Sequence, residues 1–156
     1  MPAPLDSKAL DTPFRSPKTY EQLIYGLMET FPTIEYSTLV LIRITLYTAL
    51  LEGDLHFANG YVLRVLELVD FREHRISNYS YEFYQNDTKL WWYDPWPHPQ
   101  DKSLASTHPH HKHIEPDIKH HRVPAPDLSF ERPNLPFLVR EIESFLSSQR
   151  PSKSYP

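Results

Sequence analysis

The order of apolar and polar positions predicts a helix, then several strands, then a second helix. Behind Thr19, which we take as an N-cap with Gln22 in a capping box, apolar side chains recur at helical spacing as far as Pro32. The stripe consists of Tyr20, Leu23, Ile24, Leu27, Met28 and Phe31. Such a stripe is typical of a helix that packs against a core.

From Ile34 the period changes to two, which predicts strands. The buried face of the first strand should carry Ile34, Tyr36, Val40, Ile42, Ile44 and Leu46. Gly53 and Asp54 should end this run, and a short strand at 55–58 should meet a hairpin turn at Asn59-Gly60. Further strands are predicted at 61–71, 76–85 and 88–93. Together they form an antiparallel meander of about four or five strands.

The last predicted hairpin, with a two-residue turn at Asn86-Asp87, allows its faces to be assigned. The core face should pair Phe83 with Leu90 and Tyr81 with Trp92. The polar face should pair Tyr84 with Lys89, Glu82 with Trp91, and Ser80 with Tyr93.

Proline is frequent across 94–133, so we expect an extended, loop-like segment there. A C-terminal helix with Pro136 in its first turn should then pack on the sheet. Its apolar stripe comprises Leu135, Leu138, Val139, Ile142, Phe145 and Leu146. The fold class is therefore α+β, with a flexible arm at 1–17, a single domain at 18–146 and a polar tail at 147–156.

Composition narrows the classes of protein. A length of 156 residues suits one domain, and the absence of cysteine excludes disulfides and thiolate metal sites. No apolar run approaches the ~20 residues of a membrane helix and no signal peptide is recognisable, so we expect a cytoplasmic protein without a membrane partner. Because the formal net charge is -4, any binding of nucleic acid must depend on a local patch.

Histidine is concentrated in one stretch of the chain. Of the nine histidines, those within 98–121 are His98, His108, His110, His111, His113, His120 and His121. Imidazole exchanges protons near neutral pH and is the commonest metal ligand, so this histidine-rich stretch is the candidate site. The isolated His56 and His74, and the pair His120-His121, are interpreted as ordinary surface residues.

Several elements resemble the TumE family of toxins over about residues 18–146. They are the opening helix, the Asn59-Gly60 hairpin, the 79–83 strand, Trp92-Tyr93-Asp94 before Pro97-His98-Pro99, and the run from Thr107 to His113. The resemblance implies a toxin that is neutralised by a small helix-turn-helix antitoxin encoded nearby. It leaves open whether the toxin is an enzyme.

The first functional hypothesis is an endoribonuclease, a ribonuclease-type hydrolase that requires no cofactor. A helix followed by an antiparallel meander is the layout of the RelE/barnase-like toxin nucleases, an analogy at the level of the fold. RNA cleavage requires a general base, a general acid and a cation near the phosphate. The acid–base candidates are His110, His111 and His113, which Asp94 or Glu82 could orient. Arg64 is the catalytic candidate for the cation near the phosphate. The candidates for binding RNA are Lys112, which could also supply charge at the phosphate, and Tyr81, Trp91, Tyr93 and Trp96, which could stack on bases.

Two alternatives remain open. A divalent metal such as Zn²⁺ could bind, with Asp94, among His98, His108, His110, His111 and His113, and could support hydrolysis. The histidine-rich loop could instead be a surface that docks a partner without catalysis, and a homodimer is compatible with the sequence.

The backbone around Pro109 predicts how the central histidines are arranged. In an extended run His111 and His113 point to one side and His110 to the other. Taking these positions as solvent-accessible, we expect His111→Ala or His113→Ala to abolish toxicity and change stability by less than ~0.5 kcal/mol. His120→Ala and His121→Ala should remain toxic.

Overall fold

The computed structural model describes residues 12–149 and is built on an antiparallel sheet. The strands are β1 (Tyr36–Ser37), β2 (Val40–Arg43), β3 (Thr48–His56), β4 (Tyr61–Asp70), β5 (Arg75–Gln85), β6 (Thr88–Asp94), β7 (His111–His113) and β8 (Arg122–Pro124). The helices are α1 (Pro17–Tyr25), α2 (Leu27–Thr30) and α3 (Leu135–Ser148). The sheet order is β1-β3-β4-β5-β6-β7-β8, with β2 pairing the same edge of β3 as β1.

The α+β class and the C-terminal helix are confirmed, but the described residues form eight strands rather than four or five. Two of the additional strands, β7 and β8, lie in the segment for which we predicted only extended loop. Each has three residues, too few for a periodic apolar pattern to be recognisable.

The N-terminal helix is shorter than the apolar stripe suggested, because it is divided at Gly26 into α1 and α2. Its N-cap is Ser16, whose Oγ accepts a hydrogen bond from the Thr19 amide at 3.1 Å, so the predicted N-cap at Thr19 is wrong. Pro17 at the first helical position explains the earlier start, because the helix has no acceptor for an amide hydrogen at this position and the fixed φ of proline suits a helix.

The predicted arm at 1–17 lies mostly outside the described residues, but its last part is packed. Phe14 is fully buried and lies against Tyr20, with ring centroids 4.9 Å apart. Residues 12–17 therefore belong to the folded domain. At the other end α3 runs two residues into the predicted polar tail, and residues 150–156 lie outside the described part.

The face of the first predicted strand is wrong. Of the six residues assigned to its buried face only Ile34 is buried, and the exposed ones include Val40 and Ile42. The register with β3 is unbroken from β1 to β2, because Tyr36 pairs with His56 and Val40 with Glu52. Tyr36, Val40 and Ile42 therefore lie on one face of the sheet, and that face is exposed.

Between β1 and β2 the Thr38 backbone lies against Gly53. A Cβ at Gly53, whose φ is 138°, would lie 2.5 Å from the Thr38 carbonyl oxygen. Gly53 thus lies inside β3 and permits this close approach rather than ending the strand.

A bulge reverses the predicted faces of β6. The two-residue turn at Asn86-Asp87 is confirmed by the pairing of Gln85 with Thr88. The register then shifts by one residue, so that Phe83 pairs with Trp91 and Tyr81 with Tyr93. Trp91 and Tyr93 therefore face the core, while Trp92 and Asp94 lie on the opposite face.

The sheet has two unlike faces. The inner face, against which α1 and α3 pack, forms the core. From α3 the core receives Leu135, Leu138, Val139 and Ile142. None of the helices α1, α2 and α3 packs on the opposite face, here called the outer face. None of the described helices has the length and apolar character needed to cross a membrane.

A buried carboxylate ties the helices to the inner face. Glu67 on β4 is fully buried and accepts hydrogen bonds from the hydroxyls of Tyr20 in α1 and Tyr81 in β5. Asn134, just before α3, donates from Nδ2 to the Tyr81 hydroxyl at 3.1 Å. Burial raises the pKa of Glu67 to about 7, although the two tyrosine hydrogen bonds act in the opposite direction.

Candidate functional site

The pairing of β6 with β7 assembles a cluster on the outer face. Asp94 is opposite His111, and Trp92 is opposite His113. Because alternate residues of a strand point to opposite faces, the two histidines share the outer face while Lys112 between them points to the inner face. This confirms the prediction that His111 and His113 point to one side and His110 to the other.

Three ligand-type atoms converge in this cluster. The His111 Nε2 and His113 Nε2 atoms are 3.0 Å apart. The carboxylate oxygens of Asp94 lie 3.1 Å from His113 Nε2 and 3.3 Å from His111 Nε2. Among the described residues, these three form a group whose His, Asp or Glu ligand atoms all lie within 4.8 Å of one another. We call them the Asp94–His111–His113 triad.

Backbone carbonyls determine which nitrogen of each imidazole is available. His111 Nδ1 is 3.0 Å from the Pro109 carbonyl oxygen, and His113 Nδ1 is 3.0 Å from the Ile118 carbonyl oxygen. A carbonyl can only accept, so each Nδ1 donates its hydrogen and, in the neutral ring, each Nε2 presents a lone pair. The two lone pairs therefore face each other, an arrangement that a shared proton or a cation would stabilise.

Asp94 is held in its ionised form. Its Oδ1 accepts from the Trp96 amide and its Oδ2 from the Trp92 indole, both at 2.8 Å. Burial acts to raise the pKa of Asp94, but the contact with the His113 ring and the hydrogen bonds from Trp96 and Trp92 outweigh it and lower the pKa to about 2. Burial lowers the pKa of His111 and thus favours the neutral imidazole.

Neighbouring side chains hold the triad in place. The Trp92 ring stacks on the His113 ring, with centroids 3.7 Å apart and planes at 16°. His98 meets His111 edge-on at 5.0 Å. Arg122 on β8 is the cross-strand partner of His113, and its buried Nε atom has no hydrogen-bond partner among the described residues. This unpaired donor beside the triad is suited to an anionic group.

The burial of the triad histidines corrects one expectation. His111 is fully buried and His113 is 4% exposed, so neither is a solvent-accessible position. Their replacement by alanine would leave a cavity and unpaired carbonyl groups. The assumption that these positions are solvent-accessible is therefore wrong, and the change in stability below ~0.5 kcal/mol no longer follows from it. Tests of function need variants that preserve the volume of the side chain.

The other proposed catalytic residues lie elsewhere. His110 lies on the inner side, where Nδ1 is 2.5 Å from the Tyr79 hydroxyl and the ring stacks on Tyr79. Arg64 and Glu82 share the outer face with the triad but sit on β4 and β5 in their own ion pairs. Arg64 Nε bonds to Asp54 at 3.2 Å, and Glu82 pairs with Lys89.

Most residues proposed to bind RNA face the core. Tyr81, Trp91 and Tyr93 are buried and present no exposed ring face to a base. Lys112 Nζ forms an ion pair with Glu141 of α3 at 3.1 Å on the inner side. Trp96 is the exception, since it is 71% exposed and follows Asp94 by two residues.

The remaining histidines of the histidine-rich stretch are not members of the triad. His98 is adjacent to it, whereas His108 is not part of the group of converging ligand atoms. His120 pairs with Asp117, and His121 Nδ1 lies 2.8 Å from the Glu115 carbonyl oxygen. Sequence reasoning missed Arg122 as a site residue, because a lone arginine next to His121 carries no recognisable spacing signal.

Comparison with known proteins identifies the family. The family model described as toxin TumE matches residues 30–146, which include β1 to β8 and most of α3. The curated proteins and the solved structures yield no match to the chain. A toxin of this kind implies an antitoxin partner. With most of its length covered by the family model, including every residue of the triad, the chain belongs to the TumE family of toxins.

Proposed function

We propose that this toxin hydrolyses phosphodiester bonds of RNA at a divalent transition-metal ion held by the Asp94–His111–His113 triad. The observation that carries the proposal is the convergence of two Nε2 lone pairs and one ionised carboxylate at separations of 3.0 to 3.3 Å. Two imidazoles and a carboxylate on one side of an ion, with open positions opposite, form a common catalytic metal site.

The surroundings of the triad support a metal site over a proton relay. Metal-bound histidines usually donate their second ring hydrogen to a carbonyl or carboxylate, as His111 and His113 do to Pro109 and Ile118. A general acid or base must reach the substrate, whereas these Nε2 atoms point at each other and at Asp94. The charge of Asp94 would partly neutralise a divalent ion.

In the proposed hydrolysis of RNA, the bound ion, Arg122 and Trp96 would have different roles. A bound divalent ion would polarise the phosphate and lower the pKa of an attacking water. The water oxygen bonds to phosphorus, the bond from phosphorus to the ester oxygen breaks, and the proton passes to that leaving oxygen. Arg122 would bind the phosphate through its unpaired Nε hydrogen, and the exposed Trp96 would stack on an unpaired base.

A metal-independent ribonuclease is the second candidate, and one contact favours it. If His113 carries two protons, it can donate both to the Ile118 carbonyl and to Asp94, whose Oδ2 is 3.1 Å from Nε2. His113 would then be a general acid next to a neutral His111. This candidate requires no cofactor.

Metal dependence separates the two candidates. Protein that has been stripped of metal, and then freed of chelator, should bind about one Zn²⁺, Mn²⁺ or Co²⁺ per chain. Cleavage of a single-stranded RNA should stop when chelator is added and resume when one of these ions is supplied. Metal content and thermal melting measure binding independently of activity. Full RNA cleavage in excess chelator, by protein shown to contain no metal, would establish the metal-independent candidate instead.

Substitution of Arg122 tests the role assigned to its side chain. Arg122→Gln should lower kcat/KM for RNA by about 10²-fold, because a charged donor to the phosphate is lost, without changing the metal content. Arg140→Gln on α3, on the opposite side of the sheet, is the matched control and should retain activity. An Arg122→Gln variant with wild-type kcat/KM would remove this residue from the mechanism.

A further inference from the structure

The outer face of the sheet has an apolar end away from the triad. Cross-strand pairing places Val40, Glu52 and Leu66 in one row, and Ile42, Leu50 and Leu68 in the next row along the strands. We call these six residues the outer apolar patch. Val40, Ile42 and Leu66 are 45%, 43% and 43% exposed. No described element of the chain covers them.

The charge within the patch specifies its partner. Glu52 lies between Val40 and Leu66 and forms no ion pair with any described residue. A purely apolar partner would bury this carboxylate without compensation, which is costly. A partner that covers the patch therefore needs a Lys or Arg beside its apolar side chains.

The dimensions of the patch suit a helix. It spans β2, β3 and β4, whose spacing of about 4.8 Å gives a width of roughly 10 Å, close to the diameter of a helix. The same sheet already buries its inner face against α3. A strand added to the free edge of β2 would not contact Leu66, which lies two strands away.

A second copy of this chain fits the patch less well. In a two-fold interface the same surface meets itself, so Glu52 of one copy would approach a patch whose one charged residue is also Glu52. The patch contains no Lys or Arg, and the nearby Arg64 is already paired with Asp54 at 3.2 Å. The charges therefore favour a different protein.

From these features we infer that the outer apolar patch binds an amphipathic helix of the antitoxin, with a Lys or Arg of that helix paired to Glu52. The patch is continuous with the row Arg64, Glu82, Trp92 and His113, which crosses the sheet to the triad. A protein seated on the patch would therefore extend over the outer face towards the site. The inference follows from family membership and this surface, and does not depend on the metal.

The experiment measures binding between the full-length protein and the product of its neighbouring gene by calorimetry. Leu66→Asp and Val40→Asp should each raise the Kd by at least about 30-fold, as expected for the centre of an interface. Glu52→Lys should raise the Kd by a similar factor. Replacing the Lys or Arg of the partner helix that pairs with this position by Glu should restore the affinity of the Glu52→Lys variant. The matched control is Leu46→Asp, since Leu46 is 73% exposed but lies in the turn after β2. It should bind like the wild type.

Thermal melting and light scattering check that each variant is folded and show its oligomeric state. Two aspartate variants are used so that the test still holds if one of them misfolds. Wild-type affinity in folded Leu66→Asp and Val40→Asp, or no binding of the neighbouring product to the wild type, would overturn the inference. It would also be overturned by a wild-type dimer that dissociates in Leu66→Asp, which would assign the patch to a second copy. None of these measurements depends on RNA cleavage, so failure here and failure of the proposed function are distinguishable.

Discussion

Asp94→Asn should abolish metal binding and RNA cleavage while leaving the protein folded. The amide keeps the size of the carboxylate and an oxygen that can accept from Trp92 or Trp96, but it loses the charge that balances a divalent ion. Loss of a charged ligand should reduce metal affinity by more than about 10²-fold, since even second-layer changes cost 10- to 100-fold. Metal content, thermal melting and cleavage rate are measured on the same preparation.

Histidine variants provide the comparison. His111→Gln and His113→Gln should behave like Asp94→Asn, whereas His120→Gln and His121→Gln, outside the triad, should keep both metal and activity. Growth arrest on expression supplies a cellular readout. If the His120 and His121 variants lose activity and the triad variants keep it, the site has been assigned to the wrong histidines.

Glu67→Ala should lower the free energy of unfolding by about 3–5 kcal/mol, the largest change in stability that we expect for a single position. The substitution leaves the hydroxyls of Tyr20 and Tyr81 buried without their acceptor and opens a cavity between α1 and the sheet. Chemical denaturation measures the change. Glu82→Ala, on the outer face of the neighbouring strand, is the control and should cost less than about 1 kcal/mol.

The same carboxyl makes stability depend on pH. Its pKa is about 7 when folded, against an ordinary value of 4.5, so between these values the folded state keeps a proton that the unfolded state has released. The free energy of unfolding should therefore fall by about 3 kcal/mol as pH rises from 4.5 to 7, and this contribution should not change above pH 7.

Glu67→Gln isolates that contribution, because glutamine does not titrate. The lowered pKa of His111 acts in the opposite direction but is common to both proteins, so it cancels in the difference between wild type and variant. Denaturation at pH 5 and pH 7.5 measures this difference. A difference that does not change with pH would mean that Glu67 titrates alike in the folded and unfolded states.

Elements with a long periodic pattern were predictable from the sequence. The stripes that include Tyr20 and Ile24 in α1, and Leu138 and Ile142 in α3, are buried as expected. Repetition over several turns specifies one face of a helix even when a boundary is displaced, as at Ser16. The hairpin turn at 86–87 followed from local residue preferences in the same way.

Two features of the sheet explain why strand faces were predicted wrongly. In β1 and β2 the alternation is present, but its apolar side chains, which include Val40 and Ile42, lie on the exposed face rather than in the core. In β6 the bulge at Leu90 reverses the faces of the residues that follow it and has no clear signal in the sequence. Trp92 was therefore assigned to the core, although it stacks on His113 at the site. Pairing across β6, β7 and β8 depends on contacts distant in sequence, which explains why Arg122 was missed.

The short strand β7 also determines how long the site remains assembled. It is joined to β6 and to β8 by three residue pairs each, whereas β4 and β5 share ten. Local opening should therefore begin here, and each opening separates the histidines from Asp94. An ion bridging β6 and β7 would stabilise the closed form by about 2.7 kcal/mol at 100 times its Kd. Amide hydrogen exchange in β7 would then slow with ion concentration, and the supply of that ion would set the fraction of molecules able to act.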